Sequence, residues 1–565
     1  MADERTLERH RRVMFRAMPA LGALALLALG VGIVVGLGVQ SASERVARDF
    51  GRAWARGDYV AMHALLTEDA RARFGRRAFQ AAYEHARMIA TATSDVRTAR
   101  PEDEHGGTVP LPVAIPTRVF GTVRGTVMLS VSDTGVDWAP QMAFPGLTEG
   151  ARLTRMTRAP RRARILLANG KTLADGPAGA RTSPLGALAE SVAGTVERSE
   201  DRAVRRQLVA RGFPSDTPVG MSGLERVFER QVAGRPGGVL LAGGRALART
   251  DPRPAPPVRS TIDARLQEAA VTALAGRIGG VAALEPRTGA VRALAGVAFS
   301  APQPPGSTFK IVTTTAALEA NLVKLSDSFP VQSNAVIDGV ELENANGELC
   351  GGTFEEAFAE SCNSVFGPLG VKVGSQRLVD TARRFGWNAP PTLPGEKSST
   401  LPGSGAIVSP LEIGSTAIGQ FKTLATPLQM ASVAQTVAND GVRLKPTLRA
   451  EEPARGRRVR VTSKAVAGTL ERLMLAVVAR GTGTAAAIPG VAVAGKTGTA
   501  ELEDTRGPGS EDAAGDPSNT DAWFTAYAPA GRPRIAVAVL LVRNGAGGAT
   551  AAPAARGVLA AALGK

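Results

Sequence analysis

Three short runs hold residues whose types could combine into nucleophilic chemistry: Ser307-Thr308-Phe309-Lys310, Ser361-Cys362-Asn363 and Lys496-Thr497-Gly498-Thr499. A serine hydroxyl is a weak nucleophile until a neighbouring base takes its proton, so the first question is which base the chain offers. Histidine is a poor candidate, because His10, His63, His85 and His105 all lie far upstream of Ser307. Lysine remains. Pro304-Pro305-Gly306 interrupts the chain just before Ser307, and Ile311 to Leu322 continues with helical character, which sets Ser307 on a first helical turn. Positions i and i+3 share a helix face, so Lys310 is expected beside the Ser307 hydroxyl. The positive end of the helix dipole disfavours an ammonium there and helps the amine act as a base. Arginine could not replace it, since arginine does not give up its proton. Only ten of the 67 basic residues are lysine, yet two of the ten stand in these motifs.

Each run alone carries little. A serine at a helix start is usually a cap, Ser361 and Asn363 would pass for a turn or cap pair, and Lys496 for a surface lysine on a hairpin strand. Together, in this order, they resemble the active-site signature of serine enzymes that acylate on β-lactams and on D-Ala-D-Ala peptides. The resemblance implies that Ser307 is the nucleophile and Lys310 its base, and that Ser361 relays protons between Lys310 and Lys496. It implies that the Asn363 amide holds the substrate backbone, and that Lys496 with the hydroxyls of Thr497 and Thr499 holds a terminal carboxylate. The strand at Lys496 would pair with a substrate peptide as an added strand, with Gly498 leaving room for it. Backbone N–H groups of Ser307 and Thr499 would meet the oxyanion.

The elements that must position these motifs can be traced along the chain. Ser260-Thr-Ile-Asp263 opens a helix through Leu274. A hairpin follows, with Gly279 to Leu284 and Val291 to Ala295 joined by a turn at Glu285-Pro-Arg-Thr-Gly-Ala290. Near the far end, Ala522 to Ala528 and Arg534 to Arg543 read as strands and Ala549 to Leu563 as a closing helix. With the strand at Lys496 this makes a five-stranded sheet assembled from both ends of one domain around a helical middle. It resembles the transpeptidase fold of the penicillin-binding proteins, with a serine β-lactamase-like antiparallel sheet and helices. One flank departs from that pattern: about ten residues separate Gly296 from Ser307, where class B relatives commonly carry a longer insert.

Upstream, Arg45 to Phe74 alternates apolar and charged residues at helical spacing, with Gly57-Asp58 as a turn. Leu111 to Pro116, Arg118 to Val123 and Gly125 to Val131 read as three strands, ending an α+β module near Pro145. Its Trp54-Ala-Arg-Gly-Asp-Tyr59 and Val136-Asp-Trp-Ala-Pro140 resemble the NTF2-like N-terminal domain of penicillin-binding proteins of the methicillin-resistance type. From Arg152 to about Ser260 the chain is rich in Arg, Pro and Gly, with a helical segment expected from Leu185 to Leu208. Gly220-Met-Ser-Gly-Leu-Glu225 resembles an element of the pedestal, or dimerisation, domain of class B penicillin-binding proteins.

Residues 17–43 carry no charge and hold an apolar run long enough to cross a hydrocarbon layer of roughly 30 Å as a helix. Arg5, Arg9, Arg11, Arg12 and Arg16 precede it, so the positive-inside rule places the N-terminus in the cytoplasm and exports the rest. The run exceeds a typical signal-peptide core of about 7 to 15 residues, which favours an uncleaved anchor. The expected multidomain α+β organisation is therefore a cytoplasmic tail (1–16), a transmembrane anchor (17–43), an NTF2-like domain (44–150), a pedestal (151–259) and a transpeptidase domain (260–565). Cys350 and Cys362 could form a disulfide in an exported domain or stand as two buried thiols. A bridge would pin the middle of the second motif and be worth about 3 kcal/mol by chain entropy.

The 67 Lys and Arg against 51 Asp and Glu, a formal charge of +16, suit an anionic surface such as lipid headgroups or acidic wall polymers. Nucleic acid is disfavoured, because the basic residues are scattered and only 4% of the chain is aromatic. The resemblance implies a peptidoglycan D,D-transpeptidase with no cofactor or metal, acting on stem peptides, acylated by β-lactams and working beside a polytopic glycan polymerase in the membrane. Nearest to it are a D,D-carboxypeptidase and a serine β-lactamase. The second would need a deacylating glutamate, and Glu396, Glu412, Glu451, Glu452 and Glu471 all lack the Glu-x-x-Leu-Asn setting. A non-catalytic β-lactam receptor or division scaffold is the reading from a different class.

Overall fold

The structure, a computed structural model, describes residues 41–565 apart from 94–95, 187–188, 190–191, 453–457 and 503–515. It divides into two compact units: residues 41–160, 201–217 and 235–253 form one, and 161–200, 218–234 and 254–565 the other. Residues 151–259 are thus shared between them. Among the described residues no helix is long and apolar enough to cross a membrane. The expected span falls outside the description except for residues 41–43, where Ser41 caps the first helix.

In the first unit, helix Ala42–Ala55 lays its buried face on a four-stranded antiparallel sheet, and helix Arg76–Ala90 packs against the strand Leu153–Arg158 of a three-stranded sheet. The Gly57-Asp58 turn forms as expected: Gly57 has a φ of 68° and Asp58 caps the helix Tyr59–Ala64. The three expected strands are two, Thr108–Pro116 and Thr122–Ser132. Residues 118–121 turn the chain instead, held by the Thr117 hydroxyl, which accepts from the Phe120 amide at 2.8 Å and donates to the Gly121 carbonyl at 2.8 Å. Strict alternation along Thr108–Pro116 buries Val109, Leu111, Val113 and Ile115 on one face. Trp138 closes this core, donating its indole N–H to Tyr83 Oη at 3.0 Å.

Of the helix expected from Leu185 to Leu208, Ala189, Val192 and Ala193 are helical among the described residues, and Arg202–Arg211 forms a separate helix. Gly194 explains the break. Its φ is 80°, and a Cβ there would stand 2.1 Å from the Ser222 carbonyl, so the chain turns into the short strand Val196–Glu197.

The second unit holds the expected sheet. Helix α1 (Ala264–Leu274) starts at Asp263, whose carboxylate accepts from the Leu266 amide at 3.1 Å. Strands β1 (Gly279–Leu284) and β2 (Val291–Gly296) form the hairpin, and α2 (Lys310–Glu319), α3 (Phe354–Ala359), α4 (Asn363–Val373), α5 (Pro427–Ala438) and α6 (Lys464–Arg480) lie in the helical middle with the helices Ser375–Phe385 and Pro410–Ala417. Strands β3 (Ala494–Glu501), β4 (Thr520–Ala528) and β5 (Ile535–Leu541) and helix α7 (Ala551–Leu563) complete it. The strand order is β2-β1-β5-β4-β3, all pairs antiparallel. Strands β1 and β5 are buried along their whole length because helices cover both faces, hence their unbroken apolar runs. Ala282, Leu284, Ala538, Leu540 and Trp523 point to one core with α2 and α5. Val281, Ala283, Val537, Val539 and Phe524 point to another with α1 and α7. This order leaves β3, the strand with Lys496, at an edge.

Candidate active site

Ser307 lies in a 3-10 turn, Gly306–Phe309, that runs directly into α2. Close backbone packing on two sides fixes this turn. Behind it, the Gly306 amide donates to the Gly419 carbonyl at 3.1 Å, and a Cβ on Gly419 would lie 2.0 Å from the Gly306 carbonyl. In front, a Cβ on Gly306 would lie 2.7 Å from the Thr499 carbonyl. Gly498 serves the same contact: a Cβ there would meet the Pro305 carbonyl at 2.8 Å and Thr308 at 2.9 Å. The room that Gly498 leaves is therefore taken by the turn that carries Ser307. That differs from the expectation that it opens space for substrate, which rested on strand neighbours alone.

Lys310 and Lys496 are both fully buried, and Ser361 bridges them. Its Oγ accepts from Lys496 Nζ at 2.8 Å and from Lys310 Nζ at 3.3 Å. Lys310 also donates to the Ser361 carbonyl at 2.6 Å and to Asn363 Oδ1 at 2.7 Å. Ser361 reaches both lysines through a left-handed backbone, with φ at 67°, a conformation that costs a non-glycine residue of order 1–3 kcal/mol. Two devices hold it there. Helix α3 is set by a capping box between Thr353 and Glu356, and Cys362 is joined to Cys350 by a disulfide.

Asn363 stands differently from its expected posture. Its amide nitrogen donates to the Glu343 carbonyl at 2.7 Å while its oxygen holds Lys310. The residue braces the lysine before any substrate arrives.

Ser307 is half-buried, and its hydroxyl makes no hydrogen bond among the described residues. The expected contact with Lys310 is thus not closed, because the amine is drawn to Ser361 and Asn363. Catalytic hydrogen bonds are often long before substrate binds.

Electrostatics give the lysines their character. Burial pushes the Lys310 amine well below its ordinary 10.5, and the charge of Lys496 pushes it further. Burial brings Lys496 from 10.5 down to about 7, against the pull of the Glu360 carboxylate. Phe366 and Phe358 lie 5.3 Å and 5.6 Å from the two ammonium nitrogens. Among the described residues neither lysine is in an ion pair.

Alternation along β3 sends Lys496 and Gly498 to the face that holds Ser361, and Thr497 and Thr499 to the other. Thr497 Oγ1 lies 2.6 Å from Thr482 Oγ1, and Thr499 Oγ1 accepts from the Gly547 amide at 3.3 Å. Thr482, Gly547 and the Glu343 carbonyl were not singled out from the sequence. Only Thr482 left a trace there, as a threonine between two glycines shortly before β3.

Four of the five glutamates that a hydrolytic route could draw on are engaged elsewhere. Glu396 accepts from the Thr392 and Leu393 amides, Glu412 caps its helix through Ser409, and Glu452 pairs with the Thr447 hydroxyl. Glu471 accepts from Tyr527 Oη at 2.9 Å.

Residues 279–560 match the family model of the penicillin-binding protein transpeptidase domain. Over 291 residues the chain is 38% identical to the peptidoglycan D,D-transpeptidase PbpA of Mycolicibacterium smegmatis, covering 47% of this chain and 56% of that one. PbpA of Mycobacterium tuberculosis is likewise 38% identical over 294 residues. The chain thus spans about 56% of the length of these curated relatives. The crystal structure of PBPA from M. tuberculosis shares 28% identity at a TM-score of 0.57, covering 72% of this chain and 99% of that one. Its imipenem acyl-enzyme complex superposes with a TM-score of 0.56 at the same identity and shares of both chains.

Proposed function

Because residues 279–560 of this chain belong to the penicillin-binding protein transpeptidase family, of class B type, we propose that the protein is a peptidoglycan D,D-transpeptidase. The observation that carries this is the Ser361 hydroxyl held between two buried lysines that are in no ion pair among the described residues. That is an arrangement for passing a proton, not for holding a salt bridge.

In the proposed reaction a lone pair on Ser307 Oγ attacks the penultimate D-Ala carbonyl of a stem peptide as its proton passes to Lys310. The oxyanion is met by the Ser307 and Thr499 amides. Ser307 opens its helix, where the first amides lack an intrahelical acceptor, and the approach of Gly306 to Thr499 supports the pairing. The C–N bond breaks as the proton moves through Lys310 and Ser361 to the leaving D-Ala nitrogen, and an ester on Ser307 remains. An amine from a second stem peptide then attacks the ester, loses its proton to the same network and releases Ser307 with a new amide bond. Lys496, charged below about pH 7, faces the substrate's terminal carboxylate.

The catalytic unit reads as exported behind a membrane anchor at 17–43, with 1–16 cytoplasmic, 44–150 an NTF2-like domain, 151–259 the pedestal and 260–565 the transpeptidase domain. The uncharged span and its flanking arginines support this, as do the helices packed on an antiparallel sheet near the N-terminus. A polytopic polymerase would supply the glycan strands. The engagement of Glu396, Glu412, Glu452 and Glu471 favours slow hydrolysis over a β-lactamase.

Labelling with a fluorescent penicillin followed by a timed chase tests the reading. A label that Ser307→Ala abolishes and that persists for minutes or longer is expected. No labelling contradicts the acyl-enzyme, and release within seconds favours the β-lactamase.

A further inference from the structure

The loop after α6, Gly481-Thr482-Gly483, is pressed between the second and third motifs. The Thr482 amide donates to the Ala359 carbonyl at 3.2 Å, and its hydroxyl lies 3.2 Å from the same oxygen and 2.6 Å from Thr497 Oγ1. Ala359 ends α3, whose continuation carries Ser361. Thr497 lies in β3 next to Lys496. Glycines clamp the threonine in place: a Cβ on Gly481 would stand 2.3 Å from the Ala359 carbonyl, and one on Gly548 would stand 2.3 Å from the Thr482 carbonyl.

We propose that Thr482 is a positioning residue that sets whether the Thr497 hydroxyl donates or accepts, and thereby tunes recognition of the substrate's terminal carboxylate. The proposal rests on the transpeptidase reading above. A hydroxyl carries one proton. While Thr482 spends its proton on the Ala359 carbonyl, which can only accept, the contact to Thr497 is closed by the Thr497 proton. Thr497 then has only lone pairs to offer a ligand. A carboxylate also only accepts, so binding one through Thr497 requires the chain to reverse: Thr482 turns its proton to Thr497, and Thr497 turns its own to the carboxylate. The reversal strands nothing, because the Ala359 carbonyl keeps the Thr482 amide. In the reversed chain each hydroxyl polarises the next, which strengthens the final bond to the anion. An unliganded site would hold the first arrangement and a carboxylate ligand the second.

Thr482→Val keeps the shape and removes the hydroxyl, while Thr482→Ser keeps the hydroxyl. The measurement is the second-order acylation rate constant with benzylpenicillin and with its methyl ester, which lacks the anionic acceptor. Thr482→Val is expected to slow acylation by the acid about five- to tenfold and by the ester less than about twofold, so the acid-to-ester ratio collapses. Thr482→Ser is expected to keep both rates and the ratio. In a Thr497→Val background, Thr482→Val is expected to have no further effect on the ratio. Equal losses on acid and ester would reduce Thr482 to a structural role and overturn the proposal, as would an unchanged ratio. Failure of the wild-type chain to be acylated by either compound would instead overturn the transpeptidase reading, and this inference with it.

Discussion

The second unit buries two clusters of cations and treats them in opposite ways. In one, Arg162 and Arg181 are almost wholly enclosed with Glu225 and Glu229. Arg162 Nε meets Glu225 Oε2 at 2.6 Å, Arg162 Nη2 meets Glu229 Oε2 at 2.8 Å, and Arg181 Nη2 meets Glu225 Oε1 at 2.6 Å. Two guanidiniums face two carboxylates, and spare donors reach the carbonyls of Ala163 and Glu225. In the other, Lys310 and Lys496 are buried, and among the described residues they hydrogen-bond only to Ser361, Asn363 and backbone carbonyls. The first cluster neutralises charge where it sits and so locks 161–182 to 218–232. The second holds its charge in no ion pair among the described residues, and burial makes proton loss cheap. Arginine stands where the proton must stay, and lysine where it must move.

Removing the mobile proton should have the largest effect. Lys310→Arg keeps the cation and eliminates the proposed base, and is expected to slow acylation by penicillin about 10²- to 10⁴-fold. Rates within a few fold of wild type would mean that the two clusters do not differ in kind. Next comes the paired cluster. Glu225→Gln leaves two buried guanidiniums facing one remaining carboxylate, and is expected to cost about 3–5 kcal/mol of stability, read from denaturant unfolding. A loss below about 1 kcal/mol would show that the cluster is more hydrated than its burial implies.

The smallest effect on stability sharpens the contrast by its sign. Lys496→Met removes a buried cation that is in no ion pair among the described residues, and is expected to abolish function while stabilising the fold by roughly 1–4 kcal/mol near pH 6. Between about pH 7 and 10.5 the unfolded chain holds a proton on Lys496 that the folded chain has lost, so wild-type stability from this group rises with pH. The advantage of Lys496→Met should therefore shrink across that window, by up to about 1.4 kcal/mol per pH unit. An advantage that grew with pH would reverse the account.

Much of this was legible in the chain, and the reasons are local. Ser307, Lys310, Ser361 and Lys496 announce themselves through spacing, and β1, β2, β4 and β5 through apolar runs between turn residues. What stayed hidden depends on partners distant in sequence. Nothing near Gly498 says that residues 305 and 308 will press against it, and nothing near Asn363 says that Glu343 will take its amide. The expected helix across Leu185 to Leu208 is interrupted for the same reason, since the Ser222 carbonyl that confines Gly194 arrives from elsewhere in the chain. Thr482 is the intermediate case: its flanking glycines signal a tight approach without naming what approaches.

The pH dependence of the second-order rate constant for acylation by penicillin tests the central claim most directly, because it reports the free enzyme's acid and base. The account predicts a rate that rises through the depressed pKa of Lys310, well below 10.5, and falls as Lys496 loses its proton near pH 7. It also predicts that the falling limb is absent in Lys496→Arg, whatever rate remains. A rate that climbed only as pH neared the ordinary 10.5 of lysine would contradict it, because Lys310 would then be no better a base than a lysine in water.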